Sequence, residues 1–144
     1  MYVATILKEK GSHVVTSGVN DSVRHVVRLL TEYRIGAAVV LDEGGGVAGI
    51  FSERDIVRGL REHGSRMLDL PVQALMTSEV VTCTLKDSIT SVMELMTRRR
   101  FRHVPVVEDG ALVGIISIGD VVKNRLAECT LEVDSLKEYV STSR

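Results

Sequence analysis

The sequence is poor in aromatic residues and in net charge, and each shortage argues against a kind of partner. Aromatic residues make up 3% of the chain, and none is tryptophan. Single-stranded nucleic acids stack their bases on aromatic faces, so this composition argues against such binding. The formal net charge is -1, so the chain as a whole has no electrostatic attraction to nucleic acid or to an anionic membrane. We therefore expect neither partner.

Cysteine and long apolar runs are also scarce. Cys83 and Cys129 are too few for a disulfide framework, and a reduced, cytoplasmic chain is the simplest expectation. No apolar run approaches the ~20 residues that span a bilayer, and the N terminus lacks the basic and apolar regions of a signal peptide. With 44% hydrophobic residues in a length of 144, the chain can form one domain or two small halves that share a core.

One segment of the sequence occurs twice. Residues 49–58 read Gly-Ile-Phe-Ser-Glu-Arg-Asp-Ile-Val-Arg, and residues 114–123 read Gly-Ile-Ile-Ser-Ile-Gly-Asp-Val-Val-Lys. Both contain Gly-x-x-Ser-x-x-Asp, in which the pattern of a strand leads into that of a helix. A Ser hydroxyl and an Asp carboxylate at a helix start suit phosphates and sugars, because the free backbone amides there attract anions. The repeat therefore indicates both the architecture and a pair of candidate sites.

Each copy lies within a longer pattern that predicts a β-α-β-β-α unit. Short extended pieces at 14–16 and 80–82 precede amphipathic helices whose apolar residues recur at i, i+3, i+4 and i+7. Hairpins follow at 37–51 and 103–116, with acidic and glycine residues at their turns. Pro105 has no amide hydrogen, so its strand should lie at an edge or be unpaired there.

These units predict how the chain is divided. We expect a first repeat at 1–63 that includes an N-terminal helical turn, a linker at 64–71, a second repeat at 72–126 and a C-terminal amphipathic helix at 127–144. Neither half can cover both faces of a three-stranded sheet alone, so the halves should pack on each other about a pseudo-twofold axis. The predicted fold class is α/β (α+β), with tandem β-α-β-β-α repeats.

With these motifs the chain resembles a cystathionine-β-synthase (CBS) domain pair, also called a Bateman module. The resemblance is carried by the two Gly-x-x-Ser-x-x-Asp segments, by Val-x-x-Leu-Met-Thr at residues 72–77 and by Phe-Arg-His-Val-Pro-Val-Val at residues 101–107. It covers nearly the whole chain, and the tail resembles that of stand-alone bacterial CBS-pair proteins.

The resemblance implies a function as well as a fold. CBS pairs bind adenosine-containing ligands, namely AMP, ADP, ATP and sometimes NAD or S-adenosylmethionine, in two clefts between the halves. They usually form homodimers and act as regulatory sensors for an effector protein, which in this case is unknown. We therefore expect an adenine nucleotide as the regulatory ligand and no metal.

Ser52 and Asp55 are the first candidate site residues, and Ser117 and Asp120 are their counterparts. The alternative interpretation is a capping box, in which Ser and an acid three residues later satisfy free helix amides. Two matching copies, each after a Gly-containing strand, favour a binding function. The resemblance implies that the carboxylate accepts ribose hydroxyls, while the Ser hydroxyl and the helix amides meet phosphate.

A basic cluster supplies the other half of the expected site. We predict that Arg102 and His103 face the phosphates of the ligand held by Asp55, because a guanidinium binds phosphate through two donors. Their counterparts in the first half, Gly36 and Ala37, carry no charge. The Asp120 cleft therefore lacks this clamp and would depend on Arg34 or Arg54. The remaining candidate nucleotide-binding residues are Thr16, Ala37, Arg54, Thr82 and Pro105.

Three alternatives to a general adenine-nucleotide sensor follow from the same residues. The chain could be a structural dimerisation module with no ligand, or specifically a sensor of NAD or NADH. It could also be an enzyme, but no nucleophile, base or metal cluster supports catalysis. The histidines lack metal-type spacing with one another or with the cysteines, and Gly-x-Gly-x-x-Gly at residues 44–49 lies between two strands, where it cannot open a dinucleotide-binding helix.

Overall fold

The computed structural model describes the backbone of residues 1–142 and the side chains of residues 1–138. These residues form five α-helices and five strands, with two short 3-10 helices between the halves. The elements are α1 Val3–Lys10, β1 Thr16–Gly18, α2 Val23–Tyr33, β2 Ala37–Leu41, β3 Val47–Ser52, α3 Glu53–His63, the 3-10 helices Gly64–Asp69 and Val72–Ala74, α4 Ile89–Arg99, β4 His103–Glu108, β5 Ala111–Ser117 and α5 Ile118–Thr142.

The first half contains a three-stranded sheet. Strand β1 is parallel to β2, and β2 is antiparallel to β3. Helix α2 begins directly after Ser22, whose hydroxyl caps it by accepting a hydrogen bond from the amide of His25. The apolar stripe of α2 then packs on the sheet, with Val23 and Val26 completely buried and Phe51 opposite them in the same core.

The second half departs from the prediction, because its sheet has two strands, β4 and β5. The piece expected at 80–82 is replaced by an isolated bridge from Cys83 to Val106. In the first half the amide of Val39 donates to the carbonyl of Val15 and so continues the β1 ladder. Pro105 occupies the matching position and has no amide to donate, although its carbonyl accepts from the amide of Cys83. This edge position was predicted for Pro105, but its effect on the neighbouring strand was not.

Each half completes the core of the other. Helix α1 inserts Val3, Ile6 and Leu7 into the core of the second half. Met67 and Val72, which follow α3 in the chain, lie in the core of the first half. This exchange of segments between two similar units confirms the predicted tandem α/β architecture.

Two segments have more structure than the sequence suggested. Residues 64–71, expected to be a linker, contain a 3-10 helix whose Met67 is 2% exposed. The helix that begins after Ser117 runs unbroken from Ile118 to Thr142, with no boundary at 126. Residues 143 and 144 of the predicted C-terminal segment lie outside the described residues. Within the described chain, no helix combines the length and the apolar character needed to cross a membrane.

Candidate functional site

A cavity of about 360 Å³ lies between the two halves. The first half contributes the end of β3 and the first turns of α3. The second half contributes the segment before α4 and the segment that joins α4 to β4. The residues that line the cavity are Gly36, Ile50, Ser52, Glu53, Arg54, Asp55, Arg58, Thr77, Glu79, Val80, Val81, Arg99, Arg100, Phe101, Arg102 and His103.

Ser52 and Asp55, which both line this cavity, form a capping box. The Asp55 carboxylate accepts from the amide of Ser52 at 2.9 Å, and both halves of the box are present. The strand-to-helix transition is thereby fixed, because two backbone donors that a helix start leaves free are satisfied. The local interpretation of the repeated motif is therefore correct, and it coexists with a position in the cavity wall.

The Asp55 carboxylate has further partners. Its Oδ1 atom accepts hydrogen bonds from the Arg58 guanidinium and from the Thr77 hydroxyl, each at 2.9 Å. Its Oδ2 atom, which accepts from the Ser52 amide, also accepts from the Ser52 hydroxyl at 3.3 Å. Four donors on one carboxylate approach its full accepting capacity. Asp55 is 2% exposed, and this complete pairing is what allows a carboxylate to be buried.

Several arginines from both halves also line the cavity. Arg99, Arg100 and Arg102 come from the end of α4 and the segment that follows it, and Arg54 joins them from α3. The Arg54 guanidinium donates to the carbonyl of Arg100 at 3.3 Å, which links the two halves across the cavity. Arg100 itself ends α4 in the left-handed conformation, with φ of 57°.

His103 lies among charges from both halves. Burial lowers the pKa of His103 below its ordinary value of 6.5, and the positive charges of Lys10 and Arg102 lower it further, whereas Asp120 and Glu53 oppose the shift. The imidazole is therefore mainly neutral at pH 7. His103 lines the Asp55 cavity, and its imidazole lies beside Gly36 of the first half.

The second copy of the motif repeats the box and changes its partners. The Asp120 carboxylate accepts from the amide of Ser117 at 2.8 Å, and the Ser117 hydroxyl accepts from the amide of Asp120 at 3.2 Å. Lys10, at the end of α1, donates to the same carboxylate at 2.7 Å. Burial alone would raise the pKa of Asp120, but the hydrogen bonds from Lys10 and Ser117 outweigh it and leave the pKa below its ordinary value.

Lys10 in the second half and Thr77 in the first half make equivalent contacts, since each bonds both the Asp of the motif and a backbone carbonyl of the preceding strand. Thr77 uses its amide to bond the carbonyl of Ile50 and its hydroxyl to bond Asp55. The Lys10 ammonium bonds both the carbonyl of Ile115 and Asp120. A flexible, charged side chain thus replaces a backbone bridge, so the two sites have different chemistry although their motifs match.

The structure brings together five of the eleven predicted site residues in one cavity. These are Ser52, Arg54, Asp55, Arg102 and His103. Arg54 lines the Asp55 cavity and Lys10 bonds Asp120, and the suggestion that Arg34 or Arg54 serves the Asp120 cleft stays a prediction.

The other predicted residues lie outside this cavity's lining. Thr16 borders a separate depression with His13 and Leu112, and Thr82 is exposed. Ala37 and Pro105 are buried within their strands, while Ser117 and Asp120 form the second box.

Sequence reasoning missed Lys10, Arg58 and Thr77 as partners of the two carboxylates. Arg58 lies three residues after Asp55, a spacing at which helix side chains meet, so a signal for it was present. Lys10 is 110 residues from Asp120, and no local pattern joins them. Among the described residues, no three His, Cys, Asp or Glu side chains are grouped so that they could hold a metal ion.

Comparison with known families agrees with this architecture. The CBS-domain family model matches the chain twice, at residues 8–62 and 72–127. The chain belongs to the CBS-domain family. The two matches correspond to the two halves that enclose the cavity, so the protein contains a CBS pair, as the sequence motifs suggested.

Several relatives of this CBS pair are known. The CBS domain-containing protein CBSX3, mitochondrial, of Arabidopsis thaliana is 33% identical over 96% of this chain and 71% of its own length. The crystal structure of the CBS-domain containing protein ATU1752 from Agrobacterium tumefaciens is 47% identical, covers 86% of this chain and 92% of that one, and has a TM-score of 0.83.

A third relative was solved with ligands. The CBS domain pair of protein MJ0100, in complex with 5-methylthioadenosine and S-adenosyl-L-methionine, is 25% identical, with a TM-score of 0.76. The match covers 85% of this chain and 98% of that one.

Proposed function

We propose that the Asp55 cavity binds an adenine nucleotide and that the protein is a non-enzymatic regulatory sensor. The observation that carries the proposal is one cavity that is lined both by the helix start at Ser52 and Asp55 and by Arg102 and His103 of the other half. Its volume of about 360 Å³ lies within the range of small-molecule sites. A ligand that contacts both halves would shift their relative arrangement, and a partner protein could respond to that shift.

The cavity wall offers a fitting group to each part of a nucleotide. Apolar side chains at Ile50, Val80 and Phe101 suit the flat face of a base. The arginines suit phosphate oxygens because each presents two parallel donors. Ribose hydroxyls would bind Asp55 by replacing one of its present donors, and Arg58, which also bonds the carbonyl of Leu75, can leave the carboxylate without losing every partner.

The relative with bound ligands supports an adenosine group. Both small molecules bound to the MJ0100 CBS pair contain adenosine. Neither carries a phosphate, whereas the cavity of the present chain has Arg54, Arg99, Arg100 and Arg102 in its wall. We therefore favour AMP, ADP, ATP or NAD(H) as the ligand.

The two clefts are proposed to be unequal. In the second cleft Lys10 already bonds Asp120 and the carbonyl of Ile115, so a ribose there would have to displace an ammonium ion. The counterparts of Arg102 and His103 are Gly36 and Ala37, which offer phosphate no charge. One nucleotide per chain, in the Asp55 cavity, follows from these differences.

A second copy of the chain is the proposed partner in solution. Val57 and Leu60 of α3 are 68% and 51% exposed, and Val122 and Leu126 of α5 are 51% and 63% exposed. Large apolar side chains on the outer face of helices favour burial against another protein. A homodimer would cover them, and the regulated effector protein would bind in addition.

Thermal unfolding with AMP, ADP, ATP, NAD, NADH and S-adenosylmethionine tests the proposed function. Ligand at ~100 times its dissociation constant should stabilise the fold by about 2.7 kcal/mol, and each kcal/mol raises the melting temperature by roughly 2–4 °C at this chain length. We expect Asp55→Asn to reduce this rise. The matched control is Asp120→Asn, the same change in the other copy, which should keep it.

Two results would contradict the proposal. One is a melting temperature that none of these ligands changes. The other is an equal rise in both variants, which would place the ligand elsewhere. If mass spectrometry of gently purified protein also finds no nucleotide, the structural dimerisation module becomes the better account.

A further inference from the structure

The outer part of α5 carries an uncovered apolar stripe. Its residues follow one another at alternating intervals of four and three: Val122, Leu126, Cys129, Val133 and Leu136. The four aliphatic side chains are 49–64% exposed, and the Cys129 thiol is exposed too. An apolar residue every 3.5 positions on average is the pattern of a coiled-coil seam, in which the stripe occupies the a and d positions.

The other described residues leave this part of the helix uncovered. The side chains of residues 129–137 are all exposed, so the described tail extends beyond the cores of the two halves. A helical segment of this length is marginal in water when it is isolated. Burial of the stripe by a partner would therefore stabilise both the helix and the contact.

Charges beside the stripe suit an identical helix in parallel. With Leu126 and Val133 at a positions, Glu132 occupies a g position and Lys137 the e position of the next heptad. In a parallel pair these two positions meet across the seam, so Glu132 of each copy would face Lys137 of the other. Arg125, which is also at g, is already bonded to Glu128 at 3.0 Å.

We propose that α5 pairs with α5 of a second copy as a parallel two-stranded coiled coil. The two Cys129 side chains then lie in one d layer, and the two copies have the same orientation. This inference rests on the proposed homodimer and adds its orientation. The stripe spans about two heptads, fewer than a free-standing coiled coil needs, so it would act together with the rest of the dimer interface.

Oxidative cross-linking of the full chain with diamide tests the arrangement. Two Cys129 thiols would join as a disulfide, and diamide would take up the two electrons and two protons. This bond requires Cα atoms within about 7 Å, which a shared d layer provides. Cys83 will not compete, because it is 3% exposed and burial, aided by Asp87, raises its pKa to about 12.

We expect a covalent dimer on a non-reducing gel for the wild type and for Cys83→Ser, and none for Cys129→Ser. The matched control adds Leu131→Cys to Cys129→Ser. Residue 131 is exposed but lies at f, on the far side from the seam, so this variant should stay uncross-linked. Light scattering on the reduced wild type gives the mass independently, and Leu126→Asp should lower the fraction of dimer.

The outcomes separate this inference from the proposed dimer. A reduced wild type that is monomeric at micromolar concentration overturns both. A dimer by light scattering that does not cross-link through Cys129, or that cross-links equally through position 131, overturns the parallel seam and leaves the dimer intact. Nucleotide binding tested by thermal unfolding is independent of either result.

Discussion

At the scale of single residues, Asp55 and Asp120 show how equal motifs acquire different chemistry. Both close a capping box on the preceding Ser, and this part could be predicted from the spacing alone. Their other partners come from distant segments, Thr77 for Asp55 and Lys10 for Asp120. Such partners depend on how the halves pack, which no local pattern of the sequence encodes.

Arg102 offers a direct prediction about phosphate recognition. Arg102→Ala should weaken binding of ATP or ADP by about 10- to 100-fold, because a hydrogen bond to a charged group contributes about 1.5–3 kcal/mol. Titration calorimetry measures the change. Arg98→Ala removes the same charge from α4 outside the cavity lining and should have little effect. Equal weakening in both variants would mean that only the overall charge matters.

The lowered pKa of His103 predicts that the stability of the fold depends on pH. Its pKa is lowered in the folded chain, so the unfolded chain takes up the proton first as the solution is acidified. The free energy of unfolding should therefore begin to fall near pH 6.5 and should stop falling below the folded pKa. Urea unfolding between pH 7.5 and 5 should show a smaller loss for His103→Gln than for the wild type. An identical pH profile in the two proteins would remove His103 as the cause.

At the scale of elements, the Gly that opens each repeat motif has a packing role. A Cβ at Gly49 would lie 2.7 Å from the carbonyl oxygen of Thr77 and 2.7 Å from the sulfur of Met76. A Cβ at Gly114 would lie 2.6 Å from Leu7 Cδ1. The segment at Met76 and Thr77 therefore crosses closely over β3, and helix α1 crosses closely over β5. The repeated Gly marked this close approach, but sequence alone did not show what approached it.

The two glycines should respond differently to the same substitution. Gly49→Ala meets backbone and should cost about 1–3 kcal/mol of stability, the usual range for overpacking. Gly114→Ala meets the flexible end of Leu7, which can turn aside, so its cost should be smaller. Urea unfolding midpoints measure both. A larger loss for Gly114→Ala would contradict this account of the packing.

The ion pair at Lys10 is a second element-scale test. Lys10→Ala removes the bond that ties the end of α1 to Asp120 and should lower the free energy of unfolding by about 1 kcal/mol, since the pair is partly exposed. Lys8→Ala, on the same helix, serves as the control and should change stability less. If the two variants unfold alike, the contact to Asp120 does not stabilise α1.

At the scale of the whole molecule, the repeat made the architecture predictable. Two β-α-β-β-α patterns imply two similar units, and the structure has two such halves, each with its own core. The expected strand before Cys83 is reduced to an isolated bridge because of Pro105. Pro105 has no amide hydrogen, whereas Val39 at the matching position of the first half donates one to the carbonyl of Val15. The position of the cavity followed from the motif, but its full lining required the packing of both halves.

The number of nucleotides bound per chain is a property of the whole molecule, and it follows from the difference between the two proposed clefts. Arginines from the second half and the box at Asp55 meet in one cavity, while Lys10 takes the corresponding place at Asp120. If the clefts were equivalent, two nucleotides would bind each chain.

Titration calorimetry of the wild-type chain with AMP, ADP, ATP and NAD tests this account most directly. We predict that at least one of these ligands binds with a stoichiometry close to one per chain and that Arg102→Ala weakens it. Heat from none of the four, or two equivalent sites per chain that Arg102→Ala leaves unchanged, would contradict the assignment of the Asp55 cavity as the nucleotide site.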